Sequence, residues 1–116
     1  MRLSWIEITS VEQLNQLWSE ETKDSSVFFK HSTSCSISSM VLRAFERSWV
    51  TDETTNLFFI DLIAHRDVSN KLALLSGVEH QSPQVIVTYN NQLIFSDSHG
   101  TIDAEKIQYI IKKANV

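Results

Sequence analysis

The run Leu57-Phe58-Phe59-Ile60-Asp61-Leu62-Ile63-Ala64 is almost continuously apolar. A strand of that kind is covered on both faces, so its fold must supply helices above and below a sheet. The rest of the chain provides them. Ser10 followed by Gln13 is a capping-box pattern, and Val11, Leu14, Leu17 and Trp18 then recur at helical spacing, giving a first helix over about Ser10 to Thr22. Lys23 to Ser26 is a polar break, and Val27 to His31 reads as a short buried strand. Ser32-Thr33-Ser34-Cys35-Ser36 suits a turn or an N-cap rather than a strand interior. Ile37, Met40, Val41, Ala44, Phe45 and Trp49 form the apolar face of a second helix, with Arg43, Glu46 and Arg47 pointing outward.

The second half continues the alternation. Asp67 is placed to cap a third helix that contains Val68, Leu72 and Leu75 and stops at Gly77. Val85 to Tyr89 and Leu93 to Phe95 read as strands joined at Asn90-Asn91, a pair suited to a tight hairpin with positive φ. Ser96 to Gly100 reads as a loop, and Ile102, Ile107, Ile110 and Ile111 line a last helix. Trp5, Trp18 and Trp49 read as packing residues, and Lys30 and Arg66 as surface charges. Two strands joined by a helical crossover lie parallel, whereas a hairpin is antiparallel. The order α-β-α-β-α-β-β-α therefore predicts an α/β architecture, a four-stranded mixed sheet flanked by helices. That is the element order of the thioredoxin fold, with residues 1–116 as a single domain.

Composition narrows the class. One cysteine excludes a disulfide-built secreted domain, and a net charge of −4 gives no general attraction to nucleic acid. Glu7 interrupts the N-terminal apolar run before signal-peptide length, and no stretch approaches the roughly 20 apolar residues of a membrane span. A cytoplasmic protein without membrane or nucleic-acid partners is expected.

The lone thiol, Cys35, falls between the first strand and the second helix, in the first turn of that helix. Unpaired amides and the helix dipole there favour a thiolate, the nucleophile of disulfide exchange. A cysteine of this kind is often only a small buried hydrophobe. The polar neighbours Ser34 and Ser36 argue against that here. Three residues on, where a dithiol enzyme keeps its resolving cysteine, stands Ser38, which is able to hydrogen-bond a thiolate but not to form a disulfide. The site is thus expected to be monothiol. Pro83, the single proline, precedes a short apolar strand. In a thioredoxin-like fold a cis-proline stands at that point, across a groove from the nucleophile, with the backbone of Ser82 exposed to an extended substrate. His31 and His80 are placed to acidify Cys35 or to meet an anionic group. The four histidines are too scattered for a metal signature.

At these motifs the chain resembles the YtxJ-type monothiol bacilliredoxins. The resemblance runs through Phe29-Lys30-His31-Ser32-Thr33-Ser34-Cys35-Ser36-Ile37-Ser38, Arg66-Asp67-Val68-Ser69-Asn70, Gly77-Val78-Glu79-His80-Gln81-Ser82-Pro83-Gln84 and Ser98-His99-Gly100. The family's nucleophile motif usually reads Thr-Cys-Pro-Ile-Ser. Here Ser36 replaces the proline, which adds a free amide beside the thiol. The resemblance implies a thiol–disulfide oxidoreductase in which Cys35 attacks the disulfide between a client protein and bacillithiol. It also implies Ser34, Ser36, Ser38 and His31 in support, a groove at His80, Ser82 and Pro83, no bound cofactor or metal, and the small thiol as cosubstrate. The competing classes are a non-catalytic interaction module and a glutaredoxin-like iron–sulfur carrier, which would need a dimer and an external thiol to complete four ligands.

Overall fold

The computed structural model describes residues 3–115. Three parallel strands form one half of the sheet: β1 (Ile6–Glu7), β2 (Ser25–His31) and β3 (Thr55–Asp61). The antiparallel strands β4 (Gln84–Tyr89) and β5 (Gln92–Ser98) complete it in the order β1-β3-β2-β4-β5. The helices are α1 (Val11–Ser19), α2 (Ser36–Ser48), α3 (Arg66–Ser76) and α4 (Ala104–Ala114), with a 3₁₀ turn at His99–Thr101 before the last. No helix among the described residues is long and apolar enough to cross a membrane.

Alternation along β2 splits the core into two layers. Val27 and Phe29 pack with Val41, Phe45, Val85, Ile107 and Ile111 on the α2/α4 side, and Phe28 packs with Leu14, Ile60, Val68, Leu72 and Ile86 on the α1/α3 side. The three tryptophans are packed as expected. Trp5 lies 5.7 Å from Phe45 and Trp49 5.3 Å from Phe45 by ring centroids, while Trp18 sits 5.9 Å from Phe28. Asn90 and Asn91 have φ of 52° and 56°, the double positive φ that a tight hairpin turn requires.

The structure corrects several sequence expectations. The sheet has five strands, not four, because two residues of the N-terminal segment pair with Phe58 and Phe59 at the edge of β3. So short a strand, with both side chains exposed, has no alternation to detect. The apolar run ends as strand at Asp61, where the Asp61 carboxylate accepts from the amides of Ile63 and Ala64 and closes a turn. The 96–100 segment is not a loop: β5 continues to Ser98 on hydrogen bonds with β4. The first helix spans only Val11–Ser19. The third begins after His65, with Asp67 inside its first turn rather than at the cap.

Ile37 and Met40 are 57% and 61% exposed, so they do not belong to the buried face of α2. Glu46, expected outside, is buried, because the N-terminal segment folds over it. The Leu3 amide and the Trp5 indole N–H donate to its Oε2 at 3.1 and 2.9 Å.

Candidate active site at the end of the central strands

β2 is central and every residue along it is buried, so the chain leaves the sheet abruptly after His31. The Cys35 amide donates to the Ser32 carbonyl at 3.2 Å, closing a turn that delivers Cys35 to the N-cap of α2. The thiol thus stands at the helix cap, one residue before the first turn where the sequence put it. It is half-buried, with an extended backbone and no capping hydrogen bond of its own. Serine, threonine, aspartate and asparagine usually satisfy the first helical amides at this position. A sulfur there leaves those amides facing the thiol side of the helix end.

Ser38 is completely buried below Cys35. Its Oγ accepts from the Ser32 amide at 3.1 Å and lies 2.7 Å from His31 Nδ1. Among the described residues no hydrogen bond joins Ser38 to Cys35. Ser38 therefore ties the start of α2 to the end of β2. Ser34 is exposed and its hydroxyl meets that of Ser32 at 3.3 Å, while Ser36 is exposed as the first residue of α2. His31 packs its ring 5.7 Å from Phe59. Burial pushes its pKa down, and the Asp61 carboxylate partly offsets the shift.

Across the sheet, Lys30 pairs with Gln84 at the start of β4. Because the two strands are antiparallel, the 79–83 segment entering β4 lies at the same sheet end as the Cys35 turn leaving β2. The Ser82–Pro83 bond is cis. Pro83 is buried and its carbonyl accepts from the His99 amide at 2.9 Å, and Ser82 Oγ is buried without a hydrogen-bond partner among the described residues. The Gln84 side chain holds the approach to this turn. Its Nε2 donates to the Glu79 carbonyl at 2.9 Å and its Oε1 accepts from the Gln81 amide at 3.4 Å.

Lys30 is the residue that the sequence reading misplaced. It is 0% exposed, not a surface charge, because a side chain on a central strand has no route to the surface. Its Nζ donates to the Ser69 carbonyl at 3.1 Å and lies 3.3 Å from His80 Nδ1. Ser69 Oγ is 3.2 Å from the same nitrogen. Burial pushes the Lys30 pKa down to about 8. His80 is half-buried, and its pKa is lowered by burial, then by the charges of Lys30 and Arg66. Arg66 is exposed, as expected. Ser69 and Gln84 were also missed. The run of seven residues in β2, with Lys30 inside it, was the available signal, since a lysine there had to be either buried or outside the strand. Among the described residues no group of three or more His, Cys, Asp or Glu side chains comes together as a metal site would require.

This arrangement has known counterparts. A thioredoxin-fold protein proposed to be an oxidoreductase is 25% identical with a TM-score of 0.76, the match covering 90% of this chain and 91% of that one. Thioredoxins from Malassezia sympodialis (18% identical, TM-score 0.72, 97% and 92% covered) and Trypanosoma brucei brucei (15%, 0.75, 98% and 93%) share the fold. A family model described as monothiol bacilliredoxin BrxC matches residues 6–107. With its single thiol at the head of α2 on a thioredoxin fold, the chain belongs to the monothiol bacilliredoxin BrxC family, a family of thiol redox proteins.

Proposed function

We propose that this protein is a cytoplasmic monothiol oxidoreductase that reduces mixed disulfides between client proteins and a low-molecular-weight thiol, bacillithiol, with Cys35 as nucleophile. The observation that carries the reading is the placement of the only thiol. Cys35 is half-exposed at the N-cap of α2, and the position of a resolving cysteine is taken by the buried hydroxyl of Ser38.

In the first step the Cys35 thiolate attacks the small-thiol sulfur of the mixed disulfide. A new S–S bond joins Cys35 to the small thiol, the old S–S bond breaks, and the client leaves as a thiolate that takes a proton from water. In the second, a free small-thiol thiolate attacks the Cys35 adduct, giving the symmetric small disulfide and restoring the Cys35 thiolate. Ser34 and Ser36 flank the sulfur, and Ser38 and His31 brace the turn that carries it. Ser82, Pro83 and His80 form the groove for the disulfide-bearing partner.

The test is to incubate a bacillithiol-modified client with the protein and follow intact masses. The wild type should release reduced client and accumulate a Cys35 adduct until bacillithiol is added. Cys35→Ser should do neither, since a hydroxyl is not ionised at neutral pH. Turnover by Cys35→Ser would sink the reading.

A further inference from the structure

Lys30 has a role that a buried charge must justify. An unpaired ammonium inside a protein is costly unless its donors are used. Among the described residues no carboxylate pairs with it; its partners are the Ser69 carbonyl and His80 Nδ1. An ammonium has only donors. His80 Nδ1 must therefore be the acceptor of this contact, which places the imidazole proton on Nε2. Among the described residues His80 Nε2 has no hydrogen-bond partner, and the atom is not fully buried, so it reaches solvent. The charge environment of the ring is one-sided. After burial, the positive charges of Lys30 and Arg66 both lower its pKa, and no carboxylate offsets them. The ring is fixed from three sides: Lys30 of β2, Ser69 of α3, and the Gln84 anchor that holds Glu79 and Gln81 on either side of it.

We propose that Lys30 is a positioning residue that locks His80 as a neutral Nε2–H donor beside the Ser82–Pro83 turn, where it binds the carboxylate of an anionic small thiol. This rests on the reductase reading and deepens it by naming the feature of the small thiol that is recognised. A neutral Nε2–H donor backed by a buried cation attracts a carboxylate without taking up a second proton, so the site does not depend on His80 being charged.

The experiment uses one reporter peptide with a single cysteine, carried as its mixed disulfide with 3-mercaptopropionate (anionic) or 2-mercaptoethanol (neutral). The full chain should turn over the anionic adduct with kcat/KM about tenfold above the neutral one, the scale of one charge-assisted hydrogen bond, and the difference should lie in KM. In Lys30→Met that ratio should fall toward one. His80→Leu, at a half-exposed position, should do the same and gives a second reading where Lys30→Met does not fold. Separately, ¹⁵N shifts of the His80 ring in the unmodified protein at pH 7 should report the Nε2–H tautomer, and Lys30→Met should release it to a mixture. Equal rates for the two adducts in the wild type, or a ring protonated on Nδ1, would overturn this proposal while leaving the reductase reading intact. Absence of turnover on both adducts would instead overturn the reductase reading, and the carboxylate role of His80 with it.

Discussion

Cys35 is useful only because its neighbours hold it still without competing for its electrons. Ser38 illustrates this: its hydroxyl is committed to the Ser32 amide and His31 rather than to the sulfur. Ser38→Ala should therefore lower stability by about 1–3 kcal/mol, the cost of leaving a buried amide and an imidazole nitrogen unsatisfied. The rate of Cys35 attack on a small disulfide should change by less than about tenfold. Denaturant midpoints and stopped-flow thiol exchange read the two effects independently. A large rate loss at unchanged stability would mean that Ser38 touches the thiolate during reaction. His31 carries a pH signature of its own. Its folded pKa lies below the ordinary 6.5, so its contribution to stability is full above about pH 6.5 and is lost as pH falls through the folded value. Between pH 7.5 and 5 the wild type should lose more stability than His31→Asn; parallel curves would show that burial does not resist protonation of this ring.

At the scale of elements, α2 joins the site to the remote N-terminal segment. Glu46, on the buried side of this helix, accepts from the Trp5 indole and the Leu3 amide, so the strand β1 is held to the sheet from outside it. Glu46→Ala removes charged acceptors from a buried position and should cost about 2–3 kcal/mol. Hydrogen exchange at the Ile8 amide, which bonds Phe59 at 2.9 Å, should accelerate, while exchange along β2 changes only with global stability. Unchanged protection at Ile8 would show that the aromatic contacts of Trp5 suffice. The same helix shows why the sequence was legible in part. Local patterns found α2, the hairpin at Asn90-Asn91 and the alternation of strands and helices, since each is written within a few neighbouring residues. Glu46, Lys30 and β1 depend on partners 39 to 52 positions away, such as Ser69 for Lys30 and Phe58 for Ile6, and no periodicity records such a partner. The site divides in the same way. Cys35, Ser38 and Pro83 were visible as punctuation in the chain, whereas the Lys30–Ser69–His80 contact exists only once β2, α3 and the 79–83 segment meet.

The whole molecule carries a cation in its central strand, and its stability must respond to the protonation of that group. In the unfolded chain Lys30 holds its proton up to about pH 10.5, and in the folded protein only to about 8. Between those values the unfolded state binds more protons than the folded one, so stability rises with pH through that window. Below pH 8 both states are protonated and the full penalty of burying the charge applies. Above about 10.5 both are neutral and the penalty is gone. At roughly 1.4 kcal/mol per pKa unit the gain is on the order of 2–3 kcal/mol, allowing for water that reaches the ammonium through fluctuations. Lys30 is not the sole ionisable side chain in the protein, so the wild-type curve alone does not isolate it. The difference between wild type and Lys30→Met does, because the other groups cancel. Urea unfolding at pH 7.5 and at pH 10 should show the wild type gaining stability relative to Lys30→Met by that amount. A difference that stays constant across the window would mean that the ammonium keeps its ordinary proton affinity inside the sheet. His80 would then face a permanent cation, and its tautomer would be held to much higher pH than the Lys30 titration allows.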